Sequence, residues 1–195
     1  TGLTTATSDA FTITHAAAAK LSFQVEPTDV AAGSAIDPAV EVEVQDEFGN
    51  VVTTDPNDGG ATEQVTVAFT SGTNTEAATL GGTKTINVNW TTGRAAFSTL
   101  EDDLVGSNTL TGTGGRFAAD LTDATSAEFD VTPAAAEALV FTTQPSNAVA
   151  GVAISPAVVV EVRDGEGNAV TVDPATEATE TITVPFTTGT NTEGA

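Results

Sequence analysis

Residues 16–56 read AAAAKLSFQVEPTDVAAGSAIDPAVEVEVQDEFGNVVTTDP, and residues 134–174 read AAAEALVFTTQPSNAVAGVAISPAVVVEVRDGEGNAVTVDP; the two align without a gap at an offset of 118 and agree at 23 of 41 positions. A self-match of this length marks an internal repeat, and it is the reading from which the rest of the chain follows. The shared positions are those a strand-and-turn pattern needs: Leu21/Leu139, Phe23/Phe141, Pro27/Pro145, Gly33/Gly151, and Pro38-Ala39-Val40 against Pro156-Ala157-Val158. After one deleted residue the match resumes, Phe69–Ala78 agreeing with Phe186–Ala195 at eight of ten positions. At the other end Leu3, Ala6, Thr7, Ser8, Phe11 and Thr14 return as Leu121, Ala124, Thr125, Ser126, Phe129 and Thr132. The expected organisation is the C-terminal strand of a preceding repeat (1–15), a complete repeat (16–133) and the N-terminal half of the next (134–195).

Within the complete repeat, apolar residues alternate at the period of two that belongs to half-buried strands. Leu21, Phe23 and Val25 mark a first strand. Val40, Val42 and Val44 mark a second, with Glu41 and Glu43 on its other face. Asp46-Glu47-Phe48-Gly49-Asn50 reads as a hairpin-type turn, since Gly and Asn tolerate positive φ. Val51–Thr53 returns from it. Val65, Val67 and Phe69 form a fourth strand and Ile86, Val88 and Trp90 a fifth, while Ala95–Leu100, Asn108–Thr113 and Glu128–Thr132 bring the set to about eight. Because Ala68 becomes Pro185 in the second copy, and proline cannot donate to a ladder, the fourth strand is expected at a sheet edge. The junctions His15–Lys20 and Pro133–Ala138 hold no Gly or Ser and are too short for a stable helix, which suggests a stiff, extended string. The fold class expected is all-β, a tandem of immunoglobulin-like Greek-key sandwiches.

Composition agrees. Among 195 residues 39% are hydrophobic, enough for a core, and Val, Thr, Ile and Phe recur between Gly, Asn, Asp and Pro clusters. Cysteine is absent, but a secreted domain of this size has a core to stabilise it without disulfides. No apolar run reaches the roughly 18 residues of a membrane span, and no signal peptide opens the chain. Since Thr1 is not an initiator, the sequence is expected to be a mature or excised piece. The net charge of −22, from 27 acidic and five basic residues, repels nucleic acid and anionic lipid and attracts cations.

The run Leu139-Val140-Phe141-Thr142-Thr143-Gln144-Pro145-Ser146, then Ala150-Gly151, Pro156–Asp164 and Gly167–Thr171, resembles the bacterial immunoglobulin-like tandem repeats of large surface proteins, the invasin and adhesin type. Gly93–Leu100 and Thr7–Thr14 resemble the later strands of the same repeats. The resemblance spans essentially the whole chain. It implies a sandwich fold and an extracellular, cell-surface location, and it carries no catalytic motif.

Candidate chemistry is sparse. The single histidine, His15, aligns with Pro133 at a junction and reads as a spacer. Glu101-Asp102-Asp103 has the residue types of a glycosidase pair or a calcium loop, but it is expected to be a solvated loop. Asp55, Asn57 and Asp58, before Gly59-Gly60, are a weak calcium candidate because hard oxygens crowd a turn; the second copy keeps Asp173 but has Ala175 and Thr176. Lys20 raises an intramolecular crosslink to asparagine, yet the second copy has Ala138. Trp90 is expected to plug the core by its parity with Ile86 and Val88. No enzyme is expected, no cofactor is required and only calcium is entertained.

The expected function is a structural repeat of a bacterial surface stalk, fibre or filament. Its partners would be adjacent repeats and identical chains, with no nucleic acid and no membrane insertion. An adhesin module binding a glycan or protein through its loops, and an accessory domain of a secreted polysaccharide-degrading enzyme, are the alternatives.

Overall fold

The computed structural model describes residues 2–56, 63–74, 76–115, 121–171 and 181–185. They form an all-β protein with several antiparallel sheets and no helix among the described residues. The chain divides into two compact units, Thr1–Ala134 with Glu166–Asn168, and Ala135–Gly165 with Ala169–Ala195.

In the first unit, β1 (Ala18–Val25) and β7 (Arg94–Phe97) flank β3 (Val40–Asp46) in one three-stranded antiparallel sheet. The valines of β3 point one way and are fully buried at Val40, Val42 and Val44, while Glu41 and Glu43 point the other way. A second sheet has the order β11 (Ala124–Thr125), β10 (Leu110–Gly115), β4 (Gln64–Phe69), β6 (Thr85–Asn87). Smaller ladders join β2 (Val30–Ala31) and β9 (Gly106–Asn108) to β12 (Phe129–Thr132), and β5 (Leu80–Gly81) to β8 (Glu101–Asp102). The β2–β12 pairing is parallel and the rest are antiparallel.

The two larger sheets face each other across one core. Leu21, Val42, Val44, Ala95 and Phe97 of the first meet Val65, Val67, Leu110 and Ala124 of the second in a single buried cluster. At Gly112 of β10 an added Cβ would lie 3.6 Å from Val42 and 3.8 Å from Phe23, ordinary contact distances that bring the facing sheets together there.

The turn after β3 forms as the sequence predicts. Asp46 N–H donates to Asn50 O at 2.9 Å, and Gly49 takes φ +87°, a conformation that disfavours any side chain. A second glycine sets the approach of β7. Gly93 (φ +71°) accepts from Val44 N–H at 2.9 Å, and a Cβ there would meet Val52 O at 2.6 Å, so only glycine lets the chain pass this close.

The fourth strand is not an edge. β4 lies between β10 and β6, so the expectation drawn from Pro185 is corrected. β6 pairs only with Gln64–Thr66, however, and Ala68 lies past its reach with β10 alone beside it. The proline substitution marked one position of partial cover, which says little about the strand as a whole. The fifth strand is also shorter than expected, ending at Asn87, and β2, β5, β8 and β11, each two residues long, were below the resolution of an alternation pattern.

The second unit holds β13 (Ala138–Thr143) and β14 (Val159–Arg163), an antiparallel pair. Its register repeats that of β1 with β3 step for step. Leu139 faces Val162 as Leu21 faces Val44, Phe141 faces Val160 as Phe23 faces Val42, and the irregularity after Phe23 recurs after Phe141. The following turn also repeats: Val170 N–H donates to Val162 O as Val52 N–H donates to Val44 O, both at 2.9 Å, and Gly167 takes φ +91°.

Candidate functional site

Three polar clusters and two uncovered apolar surfaces are the features from which a function can be built. The first cluster is the carboxylate of Asp46, fully buried at the end of β3. Its Oδ1 accepts from the amides of Phe48 (3.0 Å) and Asn50 (2.8 Å), and its Oδ2 from Ala16 N–H (2.9 Å) and Asn50 Nδ2 (3.0 Å). One side chain thus closes its own turn and holds the start of the repeat. Burial pushes its pKa up, but the Asn50 side chain and the amides of Ala16, Asn50 and Phe48 outweigh that and hold it at about 2. Beside it, His15 bonds the Ala16 carbonyl through Nδ1 (2.8 Å) and Thr54 Oγ1 through Nε2 (3.2 Å), a connector's contacts.

The second cluster joins β3 to β7 on their outer face. Arg94 Nε donates to Glu43 Oε2 at 3.0 Å and Nη1 to Glu41 Oε2 at 2.9 Å, while Gln45 Nε2 takes Glu43 Oε1 at 3.0 Å. The guanidinium is about a third exposed and Glu43 is nearly covered, so the contact fixes strand order more than it adds stability.

The third cluster corrects the reading of Glu101-Asp102-Asp103 as a solvated loop. Glu101 is exposed, but Asp102 is fully buried, because β8 carries its side chain inward beside Leu100. Asn108 Nδ2 donates to its Oδ2 at 2.9 Å, and Leu104 N–H reaches its Oδ1 at 3.3 Å. Burial pushes the Asp102 carboxyl up, with Asp103 adding to the push and the Leu104, Asn108 and Asp103 donors opposing it. Asp103 accepts from Thr79 N–H at 2.7 Å. These carboxylates are engaged with the repeat's own backbone and amides, which is structural chemistry.

Of the calcium candidate, Asp55 is half-buried and already engaged, and Asn57 and Asp58 lie outside the described residues. No group of three or more metal-ligating side chains gathers among the described residues. Trp90 is half-buried against the core with its Nε1 donating to Glu63 Oε2 at 3.3 Å, so it packs where parity placed it, though at the rim. No described helix is long and apolar enough to cross a membrane.

Two apolar surfaces lie open among the described residues. Residues 2–14 form no strand, and Phe11 and Ile13 are 80% and 83% exposed, whereas their counterparts Phe129 and Val131 are buried in β12. In the second unit Leu139 is 57% exposed against 4% for Leu21, and Val158, Val160 and Val162 are only half-buried where Val40, Val42 and Val44 are sealed. The open Val158, Val160 and Val162 stripe follows from the repeat alignment, in which residues 134–195 match only 16–78 and hold no counterpart of 79–118.

No model of a known protein family matches the chain, and no curated protein matches it.

Proposed function

We propose that the chain is a non-catalytic structural segment of an extracellular bacterial stalk, fibre or filament, built from tandem immunoglobulin-like Greek-key sandwiches that gain length by repetition. The observation that carries this reading is the matched strand pairs: 23 identities in 41 positions accompany identical strand registers in β1–β3 and β13–β14. A sequence that specifies the same strand pair twice, 118 residues apart, is built to stack like units. The Asp46 carboxylate holding Ala16 supports a fixed start to the first repeat. The resemblance to surface-protein repeats supports the location, and the acidic, Thr-rich surface is compatible with it.

Small-angle scattering from recombinant arrays of one, two and four copies of residues 16–133 tests the reading. The maximum dimension should grow in proportion to copy number. Compact particles whose size rises far more slowly would overturn the spacer function. Phe48, 76% exposed at the apex of its turn, favours an adhesive loop, and saturable glycan binding that Phe48→Ala abolishes would promote that reading instead.

A further inference from the structure

We propose that the β13–β14 sheet is an acceptor for one more strand: an extended polypeptide segment of the Gly93–Leu100 type, from the later half of such a repeat, which adds antiparallel to β14 as β7 adds to β3. This rests on the repeat reading but not on where the chain resides or how stiff it is.

The occupant is specified by the unit that already has it. In the first unit β7 lies along β3 with Val40 opposite Phe97, Glu41 opposite Ala96, Val42 opposite Ala95 and Glu43 opposite Arg94. Phe97 and Ala95 point inward and are fully buried, and Val44 N–H is satisfied by Gly93 O. The second unit presents the same acceptor with the same register against its neighbour. Val158, Val160, Glu161 and Val162 stand where Val40, Val42, Glu43 and Val44 stand, and β14 pairs with β13 alone among the described strands.

Side-chain chemistry narrows the donor further. An aromatic residue opposite Val158 and a small one opposite Val160 would seal a stripe now half open to water. A basic residue opposite Glu161 is called for by the geometry of Glu43, whose Oε1 is held by Gln45 and whose Oε2 is held by Arg94. In the second unit Arg163 Nε holds Glu161 Oε1, the Gln45 contact, and Oε2 is the oxygen Arg94 takes in the complete repeat. The position of Glu41 is Val159, 47% exposed, so the outer contact there becomes apolar, to the aliphatic stem of the incoming arginine. Main-chain hydrogen bonds along β14 would supply affinity and these alternate side chains the specificity.

The test uses the whole 195-residue chain and the synthetic peptide GRAAFSTL, the sequence of residues 93–100. Hydrogen exchange read by mass spectrometry should slow by about tenfold or more across 158–163 when the peptide is present. Exchange across 40–46 should stay unchanged, because β7 already covers β3. A peptide carrying Arg94→Glu should bind about tenfold more weakly, since a like charge replaces an opposite one across the pair, and one carrying Phe97→Asp should give no protection. To exclude failure through weak affinity of a short peptide, the same sequence is also joined after residue 195 by a flexible Gly/Ser linker, which raises its effective concentration to about millimolar. Protection of 158–163 in that version, lost on Phe97→Asp within the donor, supports the proposal. Absence of protection in both formats, or equal protection by a scrambled sequence, overturns it. Concentration-dependent dimerisation of the chain alone that protects 158–163 also overturns it, and assigns the face to a second copy.

Discussion

Leu21 and Leu139 occupy the same place in two copies of one sequence, pair with the same partner position and stand in the same strand register, yet one is sealed and the other is more than half exposed. The strand pair is common to both units. What differs is the rest of the sandwich: the first unit adds β7 beside β3 and lays β10 and β4 over both, and the described part of the second has neither. Register is therefore a property of the strand pair, set by the alternation of its two strands. Burial is a property of the whole repeat. The same contrast holds at the other end, where Phe11 and Ile13 lie open and Phe129 and Val131 are core.

Breaking the comparison begins with the strand that makes the difference. Phe97→Ala empties a fully buried position between the sheets and should cost about 3–5 kcal/mol in urea-induced unfolding of the first unit. The matched pair follows: Leu21→Ala should cost about 2–5 kcal/mol, while Leu139→Ala should change stability by less than about 0.5 kcal/mol as an exposed site does. Equal losses at the two leucines would show that the second unit buries its face in solution and would dissolve the contrast.

A smaller effect is expected at Asp46. Its pKa lies below the ordinary 3.8, at about 2, so the folded state holds the proton less tightly than the unfolded one. The stabilisation is complete above the ordinary carboxylate value and is lost as pH falls from about 4 to about 2. Thermal melts should show this acid limb in the wild type and a shallower one in Asp46→Ala; identical limbs would mean another carboxylate governs it. Asp102 contributes with the opposite sign, because its raised pKa makes the protonated form the better tolerated one.

The smallest effect sharpens the comparison at the outer face. A double-mutant cycle on Glu43→Gln and Arg94→Gln should give a coupling of about 0.2–1 kcal/mol that shrinks with added salt. The ion pair of the second unit, Glu161 with Arg163, stands where Glu43 and Gln45 stand in the first; it lies two residues apart within one strand and cannot report strand order. Its cycle should give nothing measurable. A coupling at Glu161–Arg163 as large as at Glu43–Arg94 would mean that the β7 contact is not special.

Much of this was legible in the sequence, for identifiable reasons. The Val40, Val42 and Val44 stripe, the Asp46–Asn50 turn and the first and second strands follow from local alternation and from glycine's tolerance of positive φ. The two-residue strands were not legible, since β2, β5, β8 and β11 are too short to carry a period. Asp102 was misread because its neighbours Glu101 and Asp103 make the run look solvent-facing, and only the inward step of β8 toward Asn108 takes one carboxylate out of water. That β6 stops short of Ala68 was hidden in the same way, since a proline reports one position and not a strand's place in its sheet.

The sequence by itself determined the 118-residue period, the strand pattern it encodes twice and the acidic charge. Each of these is written in neighbouring residues or in a comparison of the chain with itself. Only the tertiary structure decided which copies of the apolar stripe are sealed, which carboxylates are buried and what Arg94 holds. Those outcomes depend on strands dozens of residues away in the chain. Water is excluded from Val42 by β7 and β10, and no pattern within β3 records whether they are present.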